Sequence, residues 1–359
     1  MKTVDLFAGA GGASLGLRDA GCEHLACIER DKDAAETLAE AGFPAICGDV
    51  RNLALLDGMQ PDLVWASFPC QCWSHAGKRL GARDERNGWP WTLDAIDAMG
   101  PRWFIAENVP GLTQHRSGCW GACLGPELCP AAYLDRVILE QLRDRYDVVS
   151  ARVLNASGFG VPQHRRRLII VAGNRPIAWP AATHGKPTGQ ADLFGHNLLP
   201  WVSVAEAIGL CGELSGMRNT DNNPTQERPA PTSEPAPTVG GRGNQIYRVV
   251  GAGRNPQNAS VAHLRSYRDI TEEPSTTICA ATHRVTNAGP WVVGGDRDER
   301  RRLTTDECAK LQGFPDGHPF RGSATSRYQQ IGNAVPPRLA EVVARAVMES
   351  DEKLKRSSP

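Results

Sequence analysis

A doubly wound α/β domain carrying a smaller, loop-rich inserted module is the fold class this chain predicts. Three observations predict it. Through residue 173, short apolar or β-branched runs alternate with amphipathic stretches. The first run is followed at once by the glycine-rich turn Phe7-Ala8-Gly9-Ala10-Gly11-Gly12. After Gly173 the texture changes to Pro, Thr, Gly and Asn, with Pro224, Pro229, Pro231, Pro235 and Pro237 crowding a stretch that cannot be continuous helix. A length of 359 residues suits one large domain and one smaller one.

Taken in order, residues 4–7, 25–28, 45–47, 63–66, 103–106 and 168–171 read as strands. Residues 13–20, 31–41 and 132–145 read as helices, the last placing Leu134, Val137, Ile138 and Leu142 on one face. Helix returns at residues 304–312 and again after Pro337. The expected division is therefore residues 1–173 and 299–350 for the large domain, 174–298 for the inserted one, and 351–359 for a tail.

Forty basic residues balance forty acidic ones, so whole-chain charge neither announces nor excludes a nucleic-acid partner. No stretch reads as a signal peptide or as an apolar run long enough to span a membrane, and soluble cytoplasm is the expectation. In that reducing compartment the eleven cysteines are expected to be free, metal-bound or catalytic rather than a disulfide framework.

Several strand ends carry chemistry-bearing residues. The glycine turn fits either a tight turn or a nucleotide site, and Glu29 and Asp49, ending or following the second and third strands, favour the latter. A third glycine at the pyrophosphate spacing is missing, so an adenosine ligand without pyrophosphate fits better. Cys70 in Phe68-Pro69-Cys70-Gln71-Cys72 is held at a strand end as a nucleophile would be, although a lone cysteine is commonly a small buried hydrophobe. Glu107, alone, reads as a solvated carboxylate, and the run Gln163 to Arg167 as a basic surface or phosphate patch. Alternation puts Gln163, Arg165 and Arg167 on one side of an entering strand.

Taken together, Phe-x-Gly-x-Gly (Phe7, Gly9, Gly11), Pro69-Cys70-Gln71, Glu107-Asn108-Val109, Gln163-x-Arg165-x-Arg167, the run from Arg302-Leu303-Thr304 to Leu311-Gln312-Gly313-Phe314-Pro315, and Gly332-Asn333-x-Val335-x-Pro337 resemble the DNA (cytosine-5) methyltransferases, in the family's order. The resemblance spans most of the chain and implies a Rossmann-like S-adenosylmethionine-dependent methyltransferase domain of the prokaryotic or phage type. Residues 174–298 lack a match, as expected of the family's variable target-recognition domain.

By this resemblance Cys70 is the covalent nucleophile, Glu107 protonates or hydrogen-bonds cytosine N3, Arg165 contacts O2, and Arg167 supports it. Phe7, Gly9, Gly11 and Pro69 line the S-adenosylmethionine site, Glu29 holds the ribose hydroxyls, Asp49 accepts the adenine amino group, and Asn333 and Val335 close the site. The last contact requires the two ends of the chain to meet. Residues 71–86 resemble the mobile catalytic loop, with Gln71, Ser74 and Lys78, together with Gln163, as substrate contacts; Cys72 is a bystander. By the same resemblance the expected partner is duplex DNA with a flipped base, the chain is expected to act as a monomer, and any restriction endonuclease is expected to be a separate gene product.

Residues 242–302 hold ten Lys or Arg against six Asp or Glu, which suits phosphate contact or a salt-bridged surface. Thr238-Val239 and Thr277-Ile278 both resemble the Thr-Leu element of the family's recognition domains. His115, Cys119, Cys123 and Cys129 form His-x3-Cys-x3-Cys-x5-Cys. Lacking a Cys-x2-Cys knuckle, in a family whose chemistry needs no metal, they are expected to be a loop of free thiols, with a closed zinc site as the alternative. Competing readings are an RNA cytosine-5 methyltransferase, an idle DNA-binding or regulatory protein, and a nicotinamide dehydrogenase. The module at 174–298 favours DNA over RNA, intact Cys70, Glu107 and Arg165 disfavour the idle protein, and Pro69-Cys70-Gln71 and Gly332-Asn333 disfavour the dehydrogenase.

Overall fold

The computed structural model describes residues 1–69, 81–115, 119, 123–186, 198–209, 246–248, 267–268, 275–276, 291–293 and 300–357. Its centre is a seven-stranded sheet in the order β3-β2-β1-β4-β5-β8-β6. In chain order the elements are β1 Lys2–Leu6, α1 Gly12–Asp19, β2 Glu23–Glu29, α2 Lys32–Glu40, β3 Ala45–Cys47, β4 Leu63–Ala66, α3 Trp89–Met99 and β5 Trp103–Asn108. A continuous helical segment follows, made of α4 Pro130–Tyr133, a π-helical turn Leu134–Leu139 and α5 Glu140–Arg143. Then come β6 Val148–Asn155, β7 Gln163–His164 and β8 Arg166–Gly173.

Strands β1 to β5 pair in parallel, while β8 runs antiparallel to both β5 and β6. The reversal of strand order lies between β1 and β4, which opens the ligand crevice of such sheets beyond those two strand ends. Strand β4 and the first four residues of β5 are apolar on both faces because both faces are covered. Val4, Leu6, Val64, Ala66, Phe104 and Ala106 pack toward α3 and residues 130–143, whereas Leu63, Trp65, Trp103 and Ile105 pack on the opposite face.

Local chemistry sets the helix ends. Asp31 caps α2 by accepting from the Ala34 amide at 3.0 Å. Gly100, at φ 56°, stops α3 in the left-handed region.

Three short elements follow, the parallel pair β9 His184–Gly185 with β10 Leu199–Pro200 and then α6 Val204–Ile208. The inserted segment is not only loop. Its strands β11 Ile246–Arg248, β12 Tyr267–Arg268, β14 Trp291–Val293 and β15 Arg300–Arg302 form a small sheet in the order β12-β11-β14-β15. A further strand, β13 Ser275–Thr276, pairs in parallel with β7, so the insertion is stitched to the chain beside Gln163. Strand β15, which lies just beyond residue 298, pairs antiparallel with β14 in this sheet.

The chain returns through α7 Thr305–Gln312, α8 Ala324–Asn333 and α9 Pro337–Ser357. Thr304 and Glu307 start α7 with a capping box. The expected tail from residue 351 is instead the end of α9 through Ser357. Asp351 is buried there and accepts from Arg102 Nη1 at 2.5 Å and from Trp103 Nε1 at 3.1 Å.

The two chain ends meet where α1 packs against residues 334–341, and glycine permits the approach. A Cβ on Gly12 would lie 2.2 Å from the Val335 carbonyl oxygen, and one on Gly16 would lie 2.2 Å from the Pro337 carbonyl oxygen and 2.6 Å from the Glu341 nitrogen. Alanine at position 16 improves helix propensity by about 1 kcal/mol. Overpacking against backbone, which cannot rotate away, costs about 1–3 kcal/mol or more. The clash wins, so Gly16→Ala lowers the urea unfolding midpoint; an unchanged or higher midpoint contradicts this packing.

Candidate active site

The first wall of the crevice is the turn after β1. Phe7, Gly9 and Gly11 all have positive φ, at 58°, 57° and 85°. For phenylalanine this costs about 1–2 kcal/mol, and strain of this kind collects at functional sites. Glu29, at the end of β2, spans the turn: Gly9 N donates to its Oε2 at 2.8 Å and Asp31 N to its Oε1 at 2.7 Å. Burial pushes the Glu29 carboxyl up, and the Asp31 and Gly9 amides oppose this. A Cβ on Gly9 would meet nothing within 4 Å, so the turn faces open space beside Glu29. Beneath it Asp5 is wholly buried and accepts from the Ser14 hydroxyl at 2.6 Å; burial raises its pKa to about 7.

Asp49 follows β3 and is half-buried. Arg51 grips both its oxygens, Nε to Oδ1 at 3.0 Å and Nη2 to Oδ2 at 2.7 Å, and holds its pKa down to about 2. Oδ1 also accepts from the Arg51 amide at 3.0 Å, so the second lone pair left for a ligand is on Oδ2. Of the predicted closing residues, Asn333 is exposed at the end of α8, while the Val335 side chain sits in the core with Ala13 and Leu17.

The second wall is the exit of β4. Phe68 is buried against Trp89, its carbonyl accepts from Asn108 Nδ2 at 3.2 Å, and Pro69 rides over Gly88, where a Cβ would come within 2.5 Å of Pro69 Cδ. Asn108 is thus a positioning residue for the strand end, a role that the sequence flagged only through its place beside Glu107. Cys70, Gln71, Ser74 and Lys78 lie outside the described residues.

The expected mobile loop reached residue 86, yet its last part is tied down. Ala82 N donates to Glu127 O at 3.0 Å, the buried Asp84 holds Arg86 at 2.6 Å, and Asn87 Nδ2 donates to Ala82 O at 3.2 Å and to the Tyr133 hydroxyl at 2.8 Å.

The third wall joins β5 to β8. Glu107 is buried and faces Arg167, whose Nε lies 2.7 Å from Oε1. Burial drives the Glu107 carboxyl up, and Arg167 first and Arg165 second pull against it; the net direction is up. The alternation holds, with Gln163 and Arg165 buried, Arg167 half-buried and Arg166 exposed. Arg165 is among the largest wholly buried side chains, and its Nη2 donates to the carbonyls of Gly332 and Ala334, each at 2.8 Å. Arg167 thus makes a direct ion pair with Glu107, and Arg165 is held from the C-terminal return.

Gln163, expected to touch substrate, is wholly buried here; its Nε2 donates to Leu311 O at 3.2 Å and Gln312 Oε1 at 2.6 Å. Gln312 Nε2 in turn donates to Ala334 O at 2.6 Å. A relay thus links β7 and α7 to the Ala334 carbonyl that also holds Arg165. In the sequence Gln312 stands out only as part of a motif; the usable signal is an amide beside Leu311 on the helix's buried face, where a polar group needs a partner.

His115, Cys119, Cys123 and Cys129 come together, their ligand atoms all within 4.8 Å of one another. Thr238, Val239, Thr277 and Ile278 lie outside the described residues. Among the described residues, no helix is long and apolar enough to cross a membrane.

A family model described as C-5 cytosine-specific DNA methylase matches residues 1–349. The Type II methyltransferase M.NaeI of Lentzea aerocolonigenes is 33% identical over 353 residues, covering 97% of this chain and 74% of the relative. M.PspPI, a Type II methyltransferase of Psychrobacter sp. (strain TA137), is 31% identical over 364 residues, covering 96% and 78%. In fold, the chain is similar to the crystal structure of S. pombe Dnmt2 methyltransferase, with a TM-score of 0.62 at 17% identity and 99% of each chain covered. The chain belongs to the C-5 cytosine-specific DNA methylase family.

Proposed function

We propose that this DNA cytosine-5 methyltransferase acts on a cytosine flipped from a specific duplex sequence, through a covalent adduct between Cys70 and C6. The observation that carries the reading is the buried Glu107 with Arg167 and Arg165 at the end of β5, beside the anchored exit of β4 that leads into Cys70. The open turn at Gly9 with the Glu29 carboxylate fits the ribose of S-adenosylmethionine, a ligand whose adenosine carries no pyrophosphate.

The Cys70 thiolate forms the S–C6 bond, the C5=C6 pair becomes the C4=C5 bond of an enamine, and the C4=N3 pair moves onto N3, which takes a proton. Glu107, its carboxyl raised by burial, holds a proton at N3, and Arg165 steadies O2. S-adenosylmethionine, when bound, supplies the methyl group that the enriched C5 accepts. The C5 proton then leaves to a base, for which water suffices, and the S–C6 bond breaks to restore the ring and release Cys70.

Residues 174–298 are our candidate for target reading, because the matched motifs surround them. The relatives' Type II designation supports a role for this chain as the modification half of a restriction system. Its nuclease would be a separate protein, and the methyltransferase acts as a monomer on cytoplasmic DNA. Transfer of labelled methyl from S-adenosylmethionine to duplex DNA and to RNA tests the substrate class, and exchange of residues 174–298 with a relative's segment tests the reader. Duplex DNA is expected to be labelled, with the target following the donor segment. Labelling of RNA alone contradicts the first reading, and an active chimera with the parental target contradicts the second.

A further inference from the structure

We propose that His115, Cys119, Cys123 and Cys129 bind one zinc ion in a closed structural site that braces residues 81–83. Three thiols and an imidazole converge until all four ligand atoms lie within 4.8 Å of one another, with Cys129 Sγ 3.4 Å from His115 Nδ1. A tetrahedral zinc with Zn–S near 2.3 Å and Zn–N near 2.0–2.1 Å requires ligand atoms about 3.6–3.8 Å apart. The cluster therefore needs a contraction of about 1 Å at most, within the reach of side-chain rotation. Thiolate and imidazole donors select zinc over magnesium or calcium, and four protein ligands leave no open position for catalysis.

Simple thiol packing does not account for this geometry. Burial as a small hydrophobe explains Cys129, which is wholly buried with Ala131 and Ala132, but not the half-buried Cys119 and Cys123 or the exposed His115 gathered around it. None of the three cysteines is in a disulfide, and three thiols could not all pair with one another.

The site lies between β5 and α4, and its closing arm meets residues 81–83. Glu127 O accepts from Ala82 N at 3.0 Å, Glu127 pairs with Arg83, and a Cβ on Gly81 would fall 2.1 Å from Glu127 O. Ala131 N donates to Gln114 O at 3.3 Å, which closes the neck of the same loop. A metal there fixes a loop with little apolar packing of its own and, through Glu127, fixes residues 81–83.

The test uses the full chain expressed in zinc-supplemented medium and purified without chelator. Elemental analysis should find one zinc per chain, released when the thiols are titrated with an organomercurial. Cobalt substitution should give the intense visible bands of a tetrahedral thiolate site, bleached by added zinc. The double variant His115→Asn/Cys123→Ser should lose the bound metal while calorimetry shows adenosylmethionine binding within about twofold of wild type. Wild type with less than a tenth of an equivalent of zinc and no cobalt spectrum overturns the proposal, as does a double variant that keeps stoichiometric zinc. Should the variant fail to fold, the cobalt spectrum of wild type decides. Removal of zinc should raise hydrogen exchange at residues 81–83 and 127–133 while leaving α1 unchanged; unchanged exchange at 81–83 overturns the bracing role.

Discussion

Cys70→Ala lowers methyl transfer to duplex DNA by on the order of 10⁴-fold or more, the scale seen when a covalent nucleophile is removed, while cofactor and DNA binding persist. The strand leading to it is held by neighbours. Asn108 clamps the Phe68 carbonyl, Trp89 packs on the Phe68 ring, and Gly88 makes room for Pro69. Loss of one sulfur therefore removes chemistry without dismantling the site. DNA carrying 5-fluorocytosine gives a direct readout, because fluorine at C5 blocks the final elimination. Wild type should form a denaturation-resistant complex and Cys70→Ala none; equal trapping by both assigns the nucleophile elsewhere.

Glu107→Gln carries the second large effect. A positioned proton donor contributes about 10²–10⁴-fold, and glutamine keeps the shape while lacking the acidic proton. Burial raises the Glu107 carboxyl, so it remains a proton donor to higher pH than an exposed glutamate, against the pull of Arg167 and Arg165. The variant should lose kcat by that factor with KM for S-adenosylmethionine little changed, since Glu29 and the glycine turn lie on β1 and β2 rather than on β5. A change confined to KM would make Glu107 a binding residue and not an acid.

Sequence made legible what is local or strongly periodic. The strands at 63–66 and 103–106 are unbroken apolar runs buried on both faces, and Glu107 and the glycine turn sit directly at strand ends. Other elements carried weaker signals. Helix α3 opens Trp89-Pro90-Trp91, where proline reads as a breaker although it is well tolerated in a first helical turn. Strand β6 is the sheet's edge and is half-buried along most of its length, so it lacks a clean alternation. Strands of two or three residues in the inserted segment are too short for any period to register.

Long-range partnerships were hidden for a different reason. Gln163 and Gln312 meet across 149 residues, and Arg165 finds Gly332 across 167, so nothing in either neighbourhood names the other. The meeting of the chain ends could be required from the motif order, but the glycines that permit it, Gly12 and Gly16, revealed their purpose only when Val335 and Pro337 lay against them. Spacing among His115, Cys119, Cys123 and Cys129 argued against a familiar zinc knuckle, whereas in the fold the four donors come together.

Bisulfite sequencing of DNA from cells expressing the wild-type chain reads activity and the target in one measurement. The account predicts protected cytosines confined to one recurring short sequence and absent from cells expressing Cys70→Ala. Protection scattered without sequence context, equal protection in the Cys70→Ala cells, or no protected DNA cytosine from an enzyme that labels RNA would contradict it.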